Sequence, residues 1–195
     1  MTQVEAPAVE LFRQGPKDEF ALVCYLPGAL GGFLDVLRAE LVRDCSARSH
    51  VTLLPPRPIN GLVEPARVQL RQVLPDFPPF VVELGQVSVF EFTRVIYLEL
   101  VRGQESLERI HGILNANALH YNEPFEYHPH VTLAQGMEPE YVESSADLAR
   151  HRWRNYTGPR SFLMNDLVFV QNTSTDDWLD LEQLHLSAST APALR

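Results

Sequence analysis

The tetrapeptide His50-Val51-Thr52-Leu53 returns as His130-Val131-Thr132-Leu133, 80 residues further along the chain. Both copies lie in short apolar runs, Ser49–Leu54 and Tyr127–Ala134, each bounded by proline or polar residues. A run of that length rich in Val, Leu and Thr reads as a β-strand. On a strand, residues i and i+2 share a face. Each copy therefore aims one imidazole and one hydroxyl the same way, with Val and Leu packing behind. Two such pairs turned toward each other bring together two proton-transfer groups and two hydrogen-bond donors.

Outward from the repeat, the chain alternates strand and helix signals. Phe20–Leu26 is an apolar strand closed by Pro27-Gly28, and Gly31-Gly32 marks a flexible turn into a helix over Phe33–Val42. Pro55-Pro56-Arg57-Pro58 after the first motif predicts that the chain leaves the sheet just past Leu54, because proline cannot donate to a central ladder. Glu64-Pro65 opens a second helix, with Val68, Val73 and Leu74 as its buried candidates. Phe80–Phe92 and Arg94–Val101 read as an antiparallel pair, and Ser106–Leu119 as a third helix. A short helix around Glu140–Arg150 and two strands, Ser161–Gln171 and Trp178–Leu186, close the chain. The order is β-α-β-α-β-β-α-β-α-β-β, with one motif strand in each half. The expected fold is α+β: a bilobal duplication with two antiparallel-rich sheets flanked by helices and a central cleft carrying the motif strands. Residues 1–17 read as a polar tail, 18–187 as one domain of two pseudo-repeat lobes, and 188–195 as a second tail.

Composition narrows the function. With 45% hydrophobic and 21% charged residues in 195, the chain has the make-up of an ordinary globular protein. It has neither an apolar run of membrane-spanning length nor a signal-like N-terminus, so a cytoplasmic location is expected and no membrane partner. A net charge of −9 argues against a protein that coats long nucleic acid, though it leaves room for a nucleotide or RNA end in a local pocket. Two cysteines, Cys24 and Cys45, fit reduced structural thiols, with a single disulfide also open. Oligomeric state is not legible. Phosphate-binding loops, dinucleotide glycine patterns and the Gly-x-Ser-x-Gly elbow are absent.

The two complete His-x-Thr-x motifs resemble the hallmark of the two-histidine phosphoesterases, which include 2′-5′ RNA ligase-like proteins and RNA cyclic phosphodiesterases. Arg94-Val95-Ile96-Tyr97-Leu98, the helix after it, and Phe125–Gln135 are similar to the small bacterial members, and the likeness runs from about Phe20 to Leu186. It implies a bilobal fold with the motif strands facing across a cleft. It also implies hydrolysis of a 2′,3′-cyclic phosphate or 2′-5′ phosphodiester in a nucleotide or RNA end. His50 and His130 would divide general base and general acid, and Thr52 and Thr132 would hydrogen-bond the non-bridging oxygens. The scheme needs no metal and no cofactor, and run in reverse it would ligate. Arg57 is a candidate phosphate contact, Tyr127 and Phe90 are candidates for stacking on a base, and His128 borders the pocket. His128-Pro129-His130 also has the spacing of a metal pair, but nothing around it completes a metal signature. A pocket that binds a nucleotide or RNA end without turnover is the alternative reading.

Overall fold

The computed structural model describes residues 19–43, 45, 47–59, 61–172 and 178–187. The two expected tails, 1–17 and 188–195, lie outside these residues. The elements are β1 (Glu19–Tyr25), α1 (Gly28–Leu41), β2 (His50–Pro58), α2 (Glu64–Val73), β3 (Phe80–Val89), β4 (Ile96–Arg102), α3 (Gln104–Leu114), β5 (Val131–Ala134), α4 (Pro139–Arg154), β6 (Ser161–Met164), β7 (Asp166–Asn172) and β8 (Trp178–His185).

The strands form one antiparallel array in the order β6-β3-β4-β5-β2-β1-β7-β8. The two expected antiparallel halves are its left and right fours, and they meet edge to edge through β2 and β5. A single registered pair, Val51 opposite Val131, joins them. The duplication is visible in the hydrogen-bond register. β1 pairs with β2 as Leu22–Leu54, Val23–Thr52 and Cys24–Val51, and β4 pairs with β5 as Ile96–Ala134, Tyr97–Thr132 and Leu98–Val131. Each ladder shifts register at the equivalent step, between Leu22 and Val23 and between Ile96 and Tyr97, where the motif leucine is the extra residue.

One face of the array is covered by all four helices. Leu34 and Leu37 of α1, Leu70 of α2, Leu107 and Ile110 of α3, and Ala146 and Ala149 of α4 share a core with Leu22, Val51, Leu53, Val131 and Leu133. Period-two alternation sends the odd residues of β1 the other way, where Ala21 and Val23 cluster with Val170. Among the described residues that second face carries no helix, and it is where the motif histidines and threonines emerge.

Several sequence expectations are corrected. β2 runs on through its prolines to Pro58, pairing Phe20 with Arg57 and Glu19 with Pro58. Register shifts on β1 absorb the extra residues, and past Val51 no ladder pair joins β2 to β5, so the missing N–H donors go unneeded. The expected strand Ser161–Gln171 breaks at Asn165 into β6 and β7, which lie in opposite halves of the array. Gly31-Gly32 is helical, not a turn: a Cβ on Gly31 would sit 2.1 Å from the Leu26 carbonyl oxygen, so the first turn of α1 folds back where only glycine fits against the residue that follows β1. Val68 is exposed, and Ala66 and Leu70 carry the buried face of α2.

Candidate active site

Val51, Leu53, Val131 and Leu133 are buried at 0–1% exposure against the helices. Alternation then turns His50, Thr52, His130 and Thr132, all half-buried, onto the helix-free face. Because Val51 faces Val131 in an antiparallel pair, His50 stands level with Thr132 and Thr52 with His130. The two histidines lie on one diagonal of this quartet and the two threonines on the other. Diagonal neighbours across antiparallel strands are about 7–8 Å apart, room for a group held between the rings.

Both imidazoles are fixed in the same way. His50 Nδ1 is 2.7 Å from the carbonyl oxygen of Arg48, and His130 Nδ1 is 2.7 Å from that of His128. A carbonyl only accepts, so each Nδ1 carries the proton and donates, which leaves Nε2 of the neutral ring as a free acceptor. Burial lowers the pKa of His50, and the nearby charges of Arg38 and His130 lower it further, against opposing effects of the Arg48 carbonyl and Asp35. Burial likewise lowers that of His130, with the charge of His128 acting in the same sense and the His128 carbonyl opposing. Both rings are therefore poised neutral near pH 7, ready to take a proton.

The two flanks differ. Beside His130, Phe90 stacks on Tyr97 with centroids 4.0 Å apart, and both stand edge-on to His130 (5.1 and 5.3 Å) and to His128 (5.3 and 5.8 Å). Beside His50, Tyr25 stands edge-on at 6.3 Å, with the Arg48 guanidinium 3.6 Å over its ring. The Tyr25 hydroxyl donates to Asp180 Oδ1 at 2.7 Å, and Arg48 pairs with Asp180 at 3.6 Å. These groups, with Asp166, Val168 and Gln183, line a cavity of about 260 Å³. A broader depression of about 880 Å³, lined by Phe80, Val101, Gly103 and Leu163 among others, touches none of the four motif residues.

The motif pair, its register and the fold around it point one way, and residues 37–176 match the sequence profile of the 2′-5′ RNA ligase superfamily. The chain belongs to that superfamily. No curated protein sequence matches it. Solved structures of similar fold include E. coli LigT complexed with NADP+ (18% identity, 88% of this chain and 98% of that one, TM-score 0.59). The same protein complexed with 3′-AMP (15%, 88% and 99%, 0.60) and a Thermus thermophilus protein (14%, 88% and 99%, 0.58) are also similar. At these identities the likeness is one of fold, and it bears out the two-histidine phosphoesterase architecture read from the motifs.

Within this superfamily member the remaining candidates separate. Phe90 and His128 do border the His130 ring. Arg57 and Tyr127 do not line the helix-free face. The Arg57 side chain is 1% exposed and donates to Glu123, Asn115 and the carbonyls of Pro55 and Leu119. Read as a loop arginine among prolines, it is instead a buried strand residue whose charge Glu123 balances. Tyr127 stacks on His111 with centroids 3.8 Å apart and donates its hydroxyl to the Thr52 carbonyl at 2.8 Å.

Three residues escaped the sequence reading. Tyr97 and Tyr25 owe their places to pairing with β5 and β2, which no local pattern reveals. Arg38 left a signal: it falls four residues after Leu34, on the apolar stripe of α1, and is buried there with Nη1 donating to the Thr132 carbonyl. Among the described residues no group of three or more His, Cys, Asp or Glu is placed to hold a metal ion, and no helix is long and apolar enough to cross a membrane. Cys24 and Cys45 are free thiols, and burial, with Asp166 adding, pushes the Cys24 thiol up to about 12.

Proposed function

We propose that this face is the active site of a phosphoesterase that opens a 2′,3′-cyclic phosphate, or cuts a 2′-5′ phosphodiester, at a nucleotide or RNA end. The observation that carries the reading is the matched pair of Nδ1 bonds at His50 and His130, which leaves the Nε2 atom of each ring to accept a proton. Hydrolysis of a cyclic phosphate needs one proton removed from water and one delivered to the departing ribose oxygen. One Nε2 takes the first as the water oxygen bonds to phosphorus. The other imidazolium gives the second as the P–O bond to the 2′- or 3′-oxygen breaks. Both rings rest neutral, so the acid must be charged by the substrate: an anionic phosphate seated between them raises the proton affinity of a ring beside it. Thr52 and Thr132, on the other diagonal, are placed to donate to the non-bridging oxygens where negative charge grows. Phe90, stacked on Tyr97 beside His130, offers a face to a base, in keeping with the nucleotides that LigT holds in its complexes. The proton inventory closes on the chain's own side chains, with no metal or cofactor required, and the reverse reaction would join a held hydroxyl to a cyclic end.

The test is hydrolysis of the four 2′,3′-cyclic nucleotides in excess EDTA from about pH 5 to 9, with wild type beside His50→Ala and His130→Ala. A bell-shaped profile, and a loss of roughly 10²–10⁴ in kcat for either substitution, is the expected result. Tight binding of a cyclic nucleotide without product in the wild type would replace the reading with that of a non-catalytic nucleotide-binding pocket.

A further inference from the structure

Each half of the molecule reaches across to the other half's motif strand. From this we infer that Arg38 and Tyr127 are positioning residues that set the gap between the two histidines. The inference rests on the two-histidine chemistry proposed above.

The gap needs setting. One registered pair, Val51 with Val131, is the whole ladder between β2 and β5, so beyond it the spacing of the two motif strands rests on packing and side-chain bonds across the seam. One residue further along each strand, the motif threonine's carbonyl takes a side-chain donor from the other half. The Tyr127 hydroxyl, on the approach to β5, donates to Thr52 O at 2.8 Å. Arg38, on the helix that follows β1, donates through Nη1 to Thr132 O. The helices follow the same exchange, α1 packing on β5 and α3 on β2.

Both donors are themselves held. Tyr127 lies flat on His111 (3.8 Å, 5° between planes), and His111 donates from Nδ1 to Leu53 O at 2.8 Å. The second half thus grips β2 at two successive carbonyls. Arg38 is buried on the helix side, with its Nη2 3.7 Å from Cys45 Sγ. Neither side chain lines the face where substrate would sit. Each acts on the peptide that follows a motif threonine, and turning that peptide turns the threonine and the histidine two residues before it. A displacement of about 1 Å in a reacting group can cost a hundredfold in rate.

The experiment compares wild type with Tyr127→Phe, Arg38→Met and Arg38→Lys, measuring kcat and KM on a 2′,3′-cyclic nucleotide and thermal unfolding of the same samples. Tyr127→Phe and Arg38→Met should each lower kcat about 10- to 100-fold with KM near wild type. Arg38→Lys, which keeps a donor, should recover much of the loss. In the double variant Tyr127→Phe/Arg38→Met the losses should combine less than multiplicatively, because both open one gap. Wild-type kcat in Tyr127→Phe, or rate losses that only follow the loss of folded protein, would overturn the inference. Should Arg38→Met fail to fold, Tyr127→Phe and Arg38→Lys decide it. If the wild type turns over no cyclic nucleotide, the proposed reaction fails, and the bracing is judged by backbone amide resonances instead. Tyr127→Phe must then displace the Leu53 amide and Arg38→Met the Leu133 amide, and signals that stay put would refute the bracing on its own terms.

Discussion

Arg57 and Glu123 meet 2.5 Å apart, at 1% and 9% side-chain exposure, on the far side of the first motif strand from the histidines. An ion pair so deprived of water stabilises the fold only while both partners are present. Arg57→Met should therefore destabilise the protein by about 3–5 kcal/mol, by leaving a buried carboxylate without its cation. Adding Glu123→Gln should return a good part of that. Urea unfolding at neutral pH reads both. A raised KM with unchanged stability would instead make Arg57 a substrate contact.

The motif threonines carry a different prediction. Their side chains are half-buried and face away from the core, so Thr52→Val and Thr132→Val should leave the unfolding midpoint close to wild type. Removing a donor aimed at developing negative charge should lower kcat about 10²–10³-fold in each case. If either variant keeps wild-type kcat, that threonine has no part in charge stabilisation.

Stability should also depend on pH in a direction fixed by the two histidines. Burial holds both below the ordinary value of 6.5 in the folded protein. Between the lowered native values and 6.5 the unfolded chain binds protons that the folded chain refuses. Their contribution is thus fully present above 6.5 and is lost as pH falls through that window. The slope of stability against pH should be positive there, and His50→Asn/His130→Asn should flatten it. Chemical denaturation at a series of pH values, wild type beside the double variant, tests the claim. A slope unchanged by the substitutions would assign it to other groups.

Two adjacent glycines should respond with opposite signs. Gly31→Ala would drive a methyl into the Leu26 carbonyl, 2.1 Å away, and should cost about 1–3 kcal/mol. A Cβ on Gly32 meets nothing within 4 Å, and Gly32→Ala should stabilise helix α1 by about 0.5–1 kcal/mol. Thermal unfolding of the pair settles it, and like signs would refute the packing account.

What the sequence disclosed was the part governed by short-range patterns. The doubled His-Val-Thr-Leu run announced its own faces, because alternation sends His50 and Thr52 one way and Val51 and Leu53 the other. The helices declared themselves by apolar spacing. What stayed hidden depends on partners distant in the chain. Arg57 looked like a solvated loop residue because its neighbours are prolines, and only the bulged pairing of β2 with β1 keeps those prolines in a strand. Tyr127 looked like an aromatic free to stack on a base, and it is claimed by His111 and Thr52. The break at Asn165 is invisible in an apolar run until β6 is found at the outer edge of one half and β7 inside the other, between β1 and β8.

The exchange of strands bears on how the chain is made. β1, near the start, needs β7 from beyond residue 165 to complete its outer ladder, while β3 leaves the first half to join β4. On a chain emerging from the ribosome, the half that holds His130 gains its last strand with β6 at Ser161–Met164. The half that holds His50 gains its last two only afterwards, with β7 and β8. β1 and β2 must wait, with the outer edge of β1 uncovered, until β7 at Asp166–Asn172 is released. Contacts of such long sequence separation slow folding and lengthen exposure to aggregation, so the first motif written in the gene is the last to be built.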